Sequence, residues 1–291
     1  MATTPRNTGV DAPARPNLVL RVAAVLIAAS LIWLSLPLIN NALGLEGEGG
    51  GDLAHWVNAL VAFSLAVPMV WLARRYLDRR PWSGLGLSGP REAWRPLLLG
   101  VLAWTLPAAV GLALALALGV SITPNAPPGE MVRTVLVLVL LVLVYEAVPE
   151  ELIFRGYLYR NLNTAMSAWL TVVVQAALFT LFGTALWVVI SGWDVLGERL
   201  PLFFGMGLVM GCIRLVTGSV WAGVGFHLAF QVVAQALLGG NLFAVDDATT
   251  ATGTVLLLPL VLGVSVTMAL SRKTGNWSGR IPDPAGAGRA D

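Results

Sequence analysis

The chain contains a series of apolar stretches, each long enough to cross a bilayer, and these limit its possible folds more than any other feature. About 20 consecutive apolar residues span the hydrocarbon core as a helix. The first stretch runs from Arg21 to about Leu43. The others lie at about 53–73, 94–120, 131–149, 167–191, 200–215, 219–239 and 253–270. The pattern therefore predicts eight transmembrane helices, although the block 200–239 also permits a different count.

The overall composition predicts the same fold class. Hydrophobic residues make up 57% of the 291 residues and charged residues 12%, and a soluble core cannot enclose that much apolar surface. We therefore expect an all-α, polytopic protein embedded in a lipid bilayer. The basic residues are not gathered into a stripe with interleaved aromatic residues, so no nucleic-acid partner is expected. Because Cys212 is the single cysteine, neither an internal disulfide nor a thiolate zinc cage is possible.

The arginines and lysines predict the orientation of the helices, because cytoplasmic loops of membrane proteins carry an excess of both. If eight helices start from a cytoplasmic N-terminus, all of the 18 basic residues except Arg133 and Arg199 fall on the cytoplasmic side. Both termini are therefore predicted to be cytoplasmic. No internal repeat is visible, so an inverted-repeat transporter gets no support and is the least favoured interpretation.

The two ends of the chain differ from its apolar middle. Residues 1–17 contain too few large apolar side chains to offset the entropy lost on ordering. Residues 274–291 include Pro282 and Pro284 and have no helical pattern. We expect a disordered N-terminal tail at 1–17, a membrane domain at 18–273 and a disordered C-terminal tail at 274–291.

Carboxylates cluster at the end of the fourth apolar stretch, where Glu146, Glu150 and Glu151 follow closely on one another. Ionisable residues at membrane depth are costly and indicate function. Pro149 lacks an amide proton, so a kink or the start of a new helix is expected there. On a helix, Glu151 and Arg155 share one face and can pair, which leaves Glu150 free. The alternative, favoured for Glu146, is that these glutamates are interfacial charges.

The second candidate region is His227, with Gln231 one helical turn later on the same face. With a helical rise of about 1.5 Å per residue, His227 lies roughly 12 Å inside the cytoplasmic face and Glu150 roughly 8 Å. Glu150 is therefore a candidate general base at the same level as His227 and Gln231, which are candidate donors to an oxyanion. The alternative for His227 is a structural hydrogen bond between helices.

The stretch Glu-Glu-Leu-Ile-Phe-Arg at 150–155 resembles the Glu-Glu-x-x-x-Arg motif of the CAAX protease and bacteriocin-processing family of intramembrane proteases, which includes the type II prenyl-protein endopeptidases. His227, after Met-Gly-Cys-Ile-Arg-Leu-Val-Thr-Gly-Ser-Val-Trp at 210–221, is similar to that family's third motif, a His followed one turn later by Asn or a similar amide. Residues 80–87 resemble its basic loop. The resemblance covers about residues 80–240.

The resemblance implies a function and a role for each matching residue. Glu150 would activate the hydrolytic water, Glu151 and Arg155 would hold the site in shape, and His227 with Gln231 would stabilise the tetrahedral intermediate. Gln231 stands where the family usually has Asn, so its amide lies one methylene further out. The chain would cleave a membrane-associated peptide or protein near the cytoplasmic face, in the cell membrane of a prokaryote.

The family's second motif, a Phe followed one turn later by His, is incomplete. Counted without gaps from Glu150, it falls on Phe179 to Gly183, so glycine occupies the histidine position. The remaining histidine, His55, is predicted on the outer side and out of reach. The family is often described as metalloproteases, but two His and one Glu cannot be assembled from the matching positions. No cofactor is therefore expected.

Two interpretations of function stay open. In the first, the chain is an active endopeptidase, and a polar residue of the fifth stretch helps to hold the water; the candidates are Gln175, Thr180 and Thr184. In the second, it is an inactive family member that binds a membrane peptide or a partner protein and acts as a scaffold.

Overall fold

The computed structural model describes residues 15–45, 51–240 and 242–282, and eight helices within them are long and apolar enough to cross a membrane. We number these helices in chain order: α1 Leu18–Ala42, α2 Gly51–Leu72, α3 Pro90–Ala117, α4 Pro128–Leu162, α5 Ala168–Ser191, α6 Leu196–Thr217, α7 Val220–Leu238 and α8 Ala248–Ser271. The predicted polytopic helical bundle is confirmed, and α6 and α7 are separate helices. The side on which each terminus lies stays a prediction.

Short elements close the two ends of the bundle. A π-helical turn, Ala73–Leu77, extends α2, and a 3-10 turn, Trp82–Leu85, precedes α3. At the opposite end, strand β1, Ile122–Pro124, pairs antiparallel with strand β2, Phe243–Val245. This two-stranded ribbon joins the α3–α4 connection to the α7–α8 connection.

Helix α4 passes through Pro149 without restarting. Two π-helical segments, Leu143–Ala147 and Leu152–Leu158, lie on either side of the proline. In the first, the Val148 amide donates to the carbonyl of Leu143, five residues back. This wider turn accommodates the proline ring that an α-helix would exclude. Of the two outcomes that the sequence predicted here, a kink or a new helix, the new helix does not form, because one helical run continues from Pro128 to Leu162.

Helices α3 and α7 approach each other closely because glycine lies at their contact. A Cβ atom at Gly100 would overlap the carbonyl of Ala222, and one at Gly225 would overlap the carbonyl of Leu97. Small residues at such crossings let helix backbones pack tightly within a membrane. This packing holds α7, and with it His227, in the interior of the bundle.

Asp78 is the centre of a buried polar cluster that joins α1, α2 and the end of α4. Its Oδ1 accepts hydrogen bonds from Arg21 NH1 at 2.8 Å and Tyr157 OH at 3.0 Å. Its Oδ2 accepts from Arg74 NH1 and Asn161 Nδ2, each at 2.9 Å. We call these five residues the Asp78 cluster.

The ends of the described chain are anchored by hydrogen bonds. At the N-terminal end, Asn17 Oδ1 accepts from the Leu20 amide at 2.8 Å and caps α1, while residues 1–14 of the predicted tail lie outside the described residues. At the C-terminal end, the amides of Ala168 and Trp169 donate to the carbonyls of Gly279 and Trp277, at 2.8 and 2.9 Å.

These C-terminal contacts differ from the predicted disorder. The first amides of a helix have no partner within that helix, and backbone carbonyls of the chain after α8 supply partners for α5. Because carbonyl groups occur in every residue, composition gives no sign of such contacts. The part of the predicted tail at 274–282 is therefore packed against the bundle, whereas residues 283–291 lie outside the described residues.

Candidate active site

Glu151 is the centre of a second buried polar cluster, between α4 and α7. Its side chain is fully buried. Its Oε1 accepts a hydrogen bond from Arg155 NH1 at 2.8 Å, which is the predicted pair, and lies 3.3 Å from His227 Nδ1. A Cβ atom at Gly223, one turn before His227, would overlap Glu151 Oε2. Glycine at this position therefore lets the carboxylate reach α7.

Glu150 belongs to the same cluster but has no hydrogen-bond partner among the described residues. Its side chain is half-buried. It is close enough to His227, Glu146, Glu151 and Arg155 to interact with all four electrostatically. Because successive residues of a helix are about 100° apart, Glu150 lies on a different face of α4 from the Glu151–Arg155 pair. It is thus the carboxylate of the cluster that is free to bind water.

Gln231 and Glu146 form a hydrogen bond across α4 and α7, with Gln231 Nε2 donating to Glu146 Oε2. Both side chains are half-buried. The sequence favoured an interfacial position for Glu146, but the structure brings it into the cluster. The available signal was the spacing: Glu146 lies one turn before Glu150, as Gln231 lies one turn after His227.

Gly183 of α5 lies against the ring of Phe203 of α6 rather than against a polar group. A Cβ atom at Gly183 would be 3.1 Å from Cδ2 and Cε2 of that ring. Phe203 in turn packs edge-on against Phe179, with ring centroids 5.9 Å apart. The Phe179 ring also lies under the Arg155 guanidinium, whose Cζ is 4.5 Å from the ring centroid, a favourable cation–π arrangement. Helix α5 therefore presents aromatic carbon to the cluster.

The three polar residues of α5 that the sequence offered as substitutes have other environments. Gln175 Nε2 donates to the carbonyls of Gly207 and Val172, at 2.7 and 3.0 Å. Thr180 Oγ1 donates back to the carbonyl of Ala176 at 2.8 Å. The hydroxyl of Thr184 is buried without a partner among the described residues. Two of the three are thus committed to backbone carbonyls.

The residues of the cluster do not fit a catalytic zinc ion. Such a site needs three protein ligands with an open fourth position. Within the described ranges, no group of three or more His, Cys, Asp and Glu side chains is arranged to hold a metal ion. His227 is the one histidine near the carboxylates, and Glu151 is bound by Arg155. Metal independence stays a prediction.

A cavity of about 350 Å³ borders α4 and α7, the two helices that carry the cluster. Helices α4 and α7 and the chain before α3 contribute its walls, which are formed by Trp82, Leu87, Ser88, Gly89, Pro90, Val148, Leu152, Val220, Trp221 and Val224. Trp221 Nε1 donates to the Ser88 carbonyl at 3.0 Å and holds the chain before α3 against α7. Val148 and Leu152 of its wall are neighbours in sequence of Glu150 and Glu151, although no residue of the cluster itself lines the cavity.

Arg214 of α6, which the sequence did not single out for the site, braces this cavity. Its Nε donates to the carbonyl of Arg155 at 3.0 Å, and its NH2 donates to the carbonyl of Leu85 at 3.1 Å. The Arg155 carbonyl lies in the π-helical segment of α4, where ordinary helical hydrogen bonding is altered. Arg214 therefore ties the loop over the cavity to the segment that carries Glu151 and Arg155.

Comparison with known families and proteins gives one match. Residues 132–233 match the family model described as "Type II CAAX prenyl endopeptidase Rce1-like". The matched region includes every residue of the Glu151 cluster as well as Gly183. No curated protein matches the sequence. The resemblance inferred from the two motifs is confirmed for this region, which is about a third of the chain.

Proposed function

We propose that this chain, whose residues 132–233 belong to the CAAX protease family, is an intramembrane endopeptidase that uses Glu150 to activate water. The observation that carries the proposal is the contrast between neighbouring carboxylates. Glu151 is fully buried and paired, whereas Glu150 is half-buried and has no hydrogen-bond partner among the described residues. A general base must be within reach of its water and not already bound.

In the proposed reaction, Glu150 removes a proton from water as the oxygen attacks the carbonyl carbon of the peptide. The carbon–nitrogen bond then breaks, and the proton passes from Glu150 to the leaving amine. Because His227 Nδ1 faces Glu151, Nε2 is the ring nitrogen that remains for the substrate, and it donates to the oxyanion when the imidazole is protonated. The second amide hydrogen of Gln231 remains as well, since Glu146 accepts the first. Donors held in advance of the reaction stabilise the oxyanion.

Glu146 is a positioning residue in this scheme. Gln231 is longer by one methylene than the Asn usual in the family, and an unrestrained side chain would place its amide variably. The hydrogen bond to Glu146 fixes that amide beside His227. Misplacing a group that stabilises the transition state by about 1 Å lowers the rate up to about 100-fold.

The apolar cavity is the proposed approach for substrate. Its walls offer Ser88 as the one polar side chain among ten residues, so it suits an extended peptide with apolar side chains. The chain would take such a segment from the membrane, at the level where Glu150 and His227 meet.

The test is cleavage of quenched fluorescent peptides by the full chain in liposomes, with farnesylated and unmodified apolar C-terminal peptides as probes. Wild type should cleave at least one class, and Glu150→Gln should reduce cleavage below detection while the protein accumulates normally. The proposal fails if Glu150→Gln and Glu150→Ala both cleave at the wild-type rate.

The second candidate function is a binding or scaffold protein without hydrolysis, and the contact between Gly183 and Phe203 favours it. The Phe203 ring lies against Gly183, where the family has histidine, so α5 supplies no histidine to hold the water. Restoring histidine requires space, so the variant is Gly183→His with Phe203→Ala, and Phe203→Ala alone is its control. The scaffold function predicts no peptide cleavage by wild type or by either variant. Hydrolysis that appears only in the double variant would show that the wild-type site is an inactivated protease.

A further inference from the structure

A groove on the outer surface of the bundle, between α3 and α8, lies apart from the candidate active site. Its volume is about 330 Å³. It is lined by Trp94, Arg95, Leu98, Leu99, Leu102 and Leu270. Four leucines of two membrane-spanning helices form its walls, and Arg95 and Trp94 close one end. The groove is therefore apolar along its length and cationic at its mouth.

Further positive charge surrounds this mouth. Arg91 lies one helical turn before Arg95, and Arg272 and Lys273 follow Leu270 almost directly. All four side chains are exposed, and none forms an ion pair with a carboxylate of the described residues. Glu92, at the start of α3, is the acidic residue of this stretch. The mouth therefore has an excess of positive charge, and no carboxylate within the described ranges pairs with it.

Trp94 adds a feature typical of the membrane interface. It is 55% exposed, and the Arg95 guanidinium lies over its ring, with Cζ 5.3 Å from the centroid. Tryptophan favours the level of the lipid headgroups, and a guanidinium binds phosphate through several donors. The leucines below Trp94 then lie at the depth of the acyl chains.

We propose that this groove is a binding site for an anionic phospholipid. The phosphate lies between Arg91 and Arg95, close to the basic end of α8, and one acyl chain lies along Leu98, Leu99 and Leu102. Charge complementarity distinguishes this occupant from a zwitterionic lipid, because each basic residue near the surface attracts an anionic headgroup. The apolar walls distinguish it from free phosphate, which would leave the leucines uncovered.

The experiment is native mass spectrometry of the full chain in mild detergent, titrated with dioleoyl phosphatidylglycerol or dioleoyl phosphatidylcholine. The two lipids share their acyl chains and differ in headgroup charge. Wild type should bind phosphatidylglycerol more tightly. The variant Arg91→Gln/Arg95→Gln should weaken phosphatidylglycerol binding about 30-fold, from two basic contacts, with little effect on phosphatidylcholine. Leu98→Trp, which fills the groove without changing charge, should weaken both lipids.

The matched control is Arg75→Gln, an exposed arginine over the rings of Trp71 and Tyr76, at 5.9 and 6.0 Å, away from the groove. It should bind both lipids as wild type does. The proposal is overturned if wild type binds the two lipids equally, or if Arg75→Gln loses as much phosphatidylglycerol as the double variant does. It is also overturned if Leu98→Trp leaves both affinities unchanged, or if the groove holds a second copy, seen as a dimer that Leu98→Trp dissociates.

Discussion

Two buried polar clusters contact α4, and they differ in how completely their carboxylate oxygens are hydrogen-bonded. In the Asp78 cluster, each carboxylate oxygen accepts two hydrogen bonds, and Arg21 Nε is the one buried polar atom without a partner among the described residues. In the Glu151 cluster, Glu150 has no partner among the described residues, and Glu151 Oε2 and the Arg155 atoms Nε and NH2 are buried without one. The carboxylate of the first cluster is thus saturated with hydrogen bonds, whereas the carboxylates of the second are not.

The difference indicates which cluster serves the structure and which serves the chemistry. Buried polar groups in proteins are nearly always hydrogen-bonded, so those without a partner call for an explanation. A saturated carboxylate has no lone pair left for a water or a substrate, whereas an unsaturated one does. We therefore expect that converting a carboxylate of either cluster to its amide lowers stability more when that carboxylate has more hydrogen-bond partners.

Asp78→Asn should have the largest effect on stability. The change leaves Arg21 and Arg74 buried without a counterion, and breaking a buried ion pair costs about 3–5 kcal/mol. Thermal unfolding in detergent, followed by the loss of monodisperse protein, measures it. The control is Glu198→Gln, because Glu198 is 71% exposed and 3.6 Å from Arg199, a surface pair worth about 1 kcal/mol or less. Equal loss in the two variants would contradict a structural role for the Asp78 cluster.

Glu151→Gln should cause the second-largest loss of stability. One oxygen remains to accept from Arg155, but the arginine loses its counterion, which we expect to lower stability by about 2 kcal/mol. A double-mutant cycle with Arg155→Met measures the coupling, and the double variant should be less destabilised than the sum of the single ones. Additive effects would show that the pair at 2.8 Å contributes nothing beyond its separate members.

Glu146→Gln should change stability by less than about 1 kcal/mol, because one hydrogen bond is altered, but should slow peptide cleavage by about 10- to 100-fold. If Glu146 acts by holding Gln231, the same change should have no further effect on cleavage in a Gln231→Leu background. A full additional loss there would mean that Glu146 contacts the reacting groups itself.

Glu150→Gln should have the smallest effect on stability, within about 0.5 kcal/mol, since no partner is lost. Its effect on cleavage should be the largest of the series, at least about 100-fold, because the general base is removed. Melting temperature and cleavage rate, measured on one preparation, separate the two effects. A loss of stability equal to that of Glu151→Gln would show that Glu150 stabilises the fold, as Glu151 does.

The features that depend on one helix alone could be predicted from the sequence. The eight helices follow from apolar length, and the Glu151–Arg155 pair follows from helical spacing. The hydrogen bond between Glu146 and Gln231 depends on the rotation of α7 against α4, which no single helix encodes. The passage of α4 through Pro149 was missed because the π turn before it removes the clash that an α-helix would have.

The packing at Gly183 also depends on contacts between helices and could not be predicted from one segment of the sequence. The sequence identifies the missing histidine, but whether the space is empty, wet or filled depends on the register of α5 against α6. Phe203 fills it, and Phe203 belongs to no motif. Arg214 was overlooked for a similar reason, since its acceptors are backbone carbonyls of Arg155 and Leu85.

The backbone contacts between α5 and the chain after α8 have a consequence for biogenesis. The carbonyls of Trp277 and Gly279, which receive the first amides of α5, are synthesised only after the eighth span. While the ribosome is still making α6 to α8, the first amides of α5 do not yet have these carbonyls as hydrogen-bond acceptors. The hydrogen bonds of the first turn of α5 therefore form only after the last part of the chain has been translated. A stop codon before Trp277 would remove these acceptors while leaving all eight spans in place.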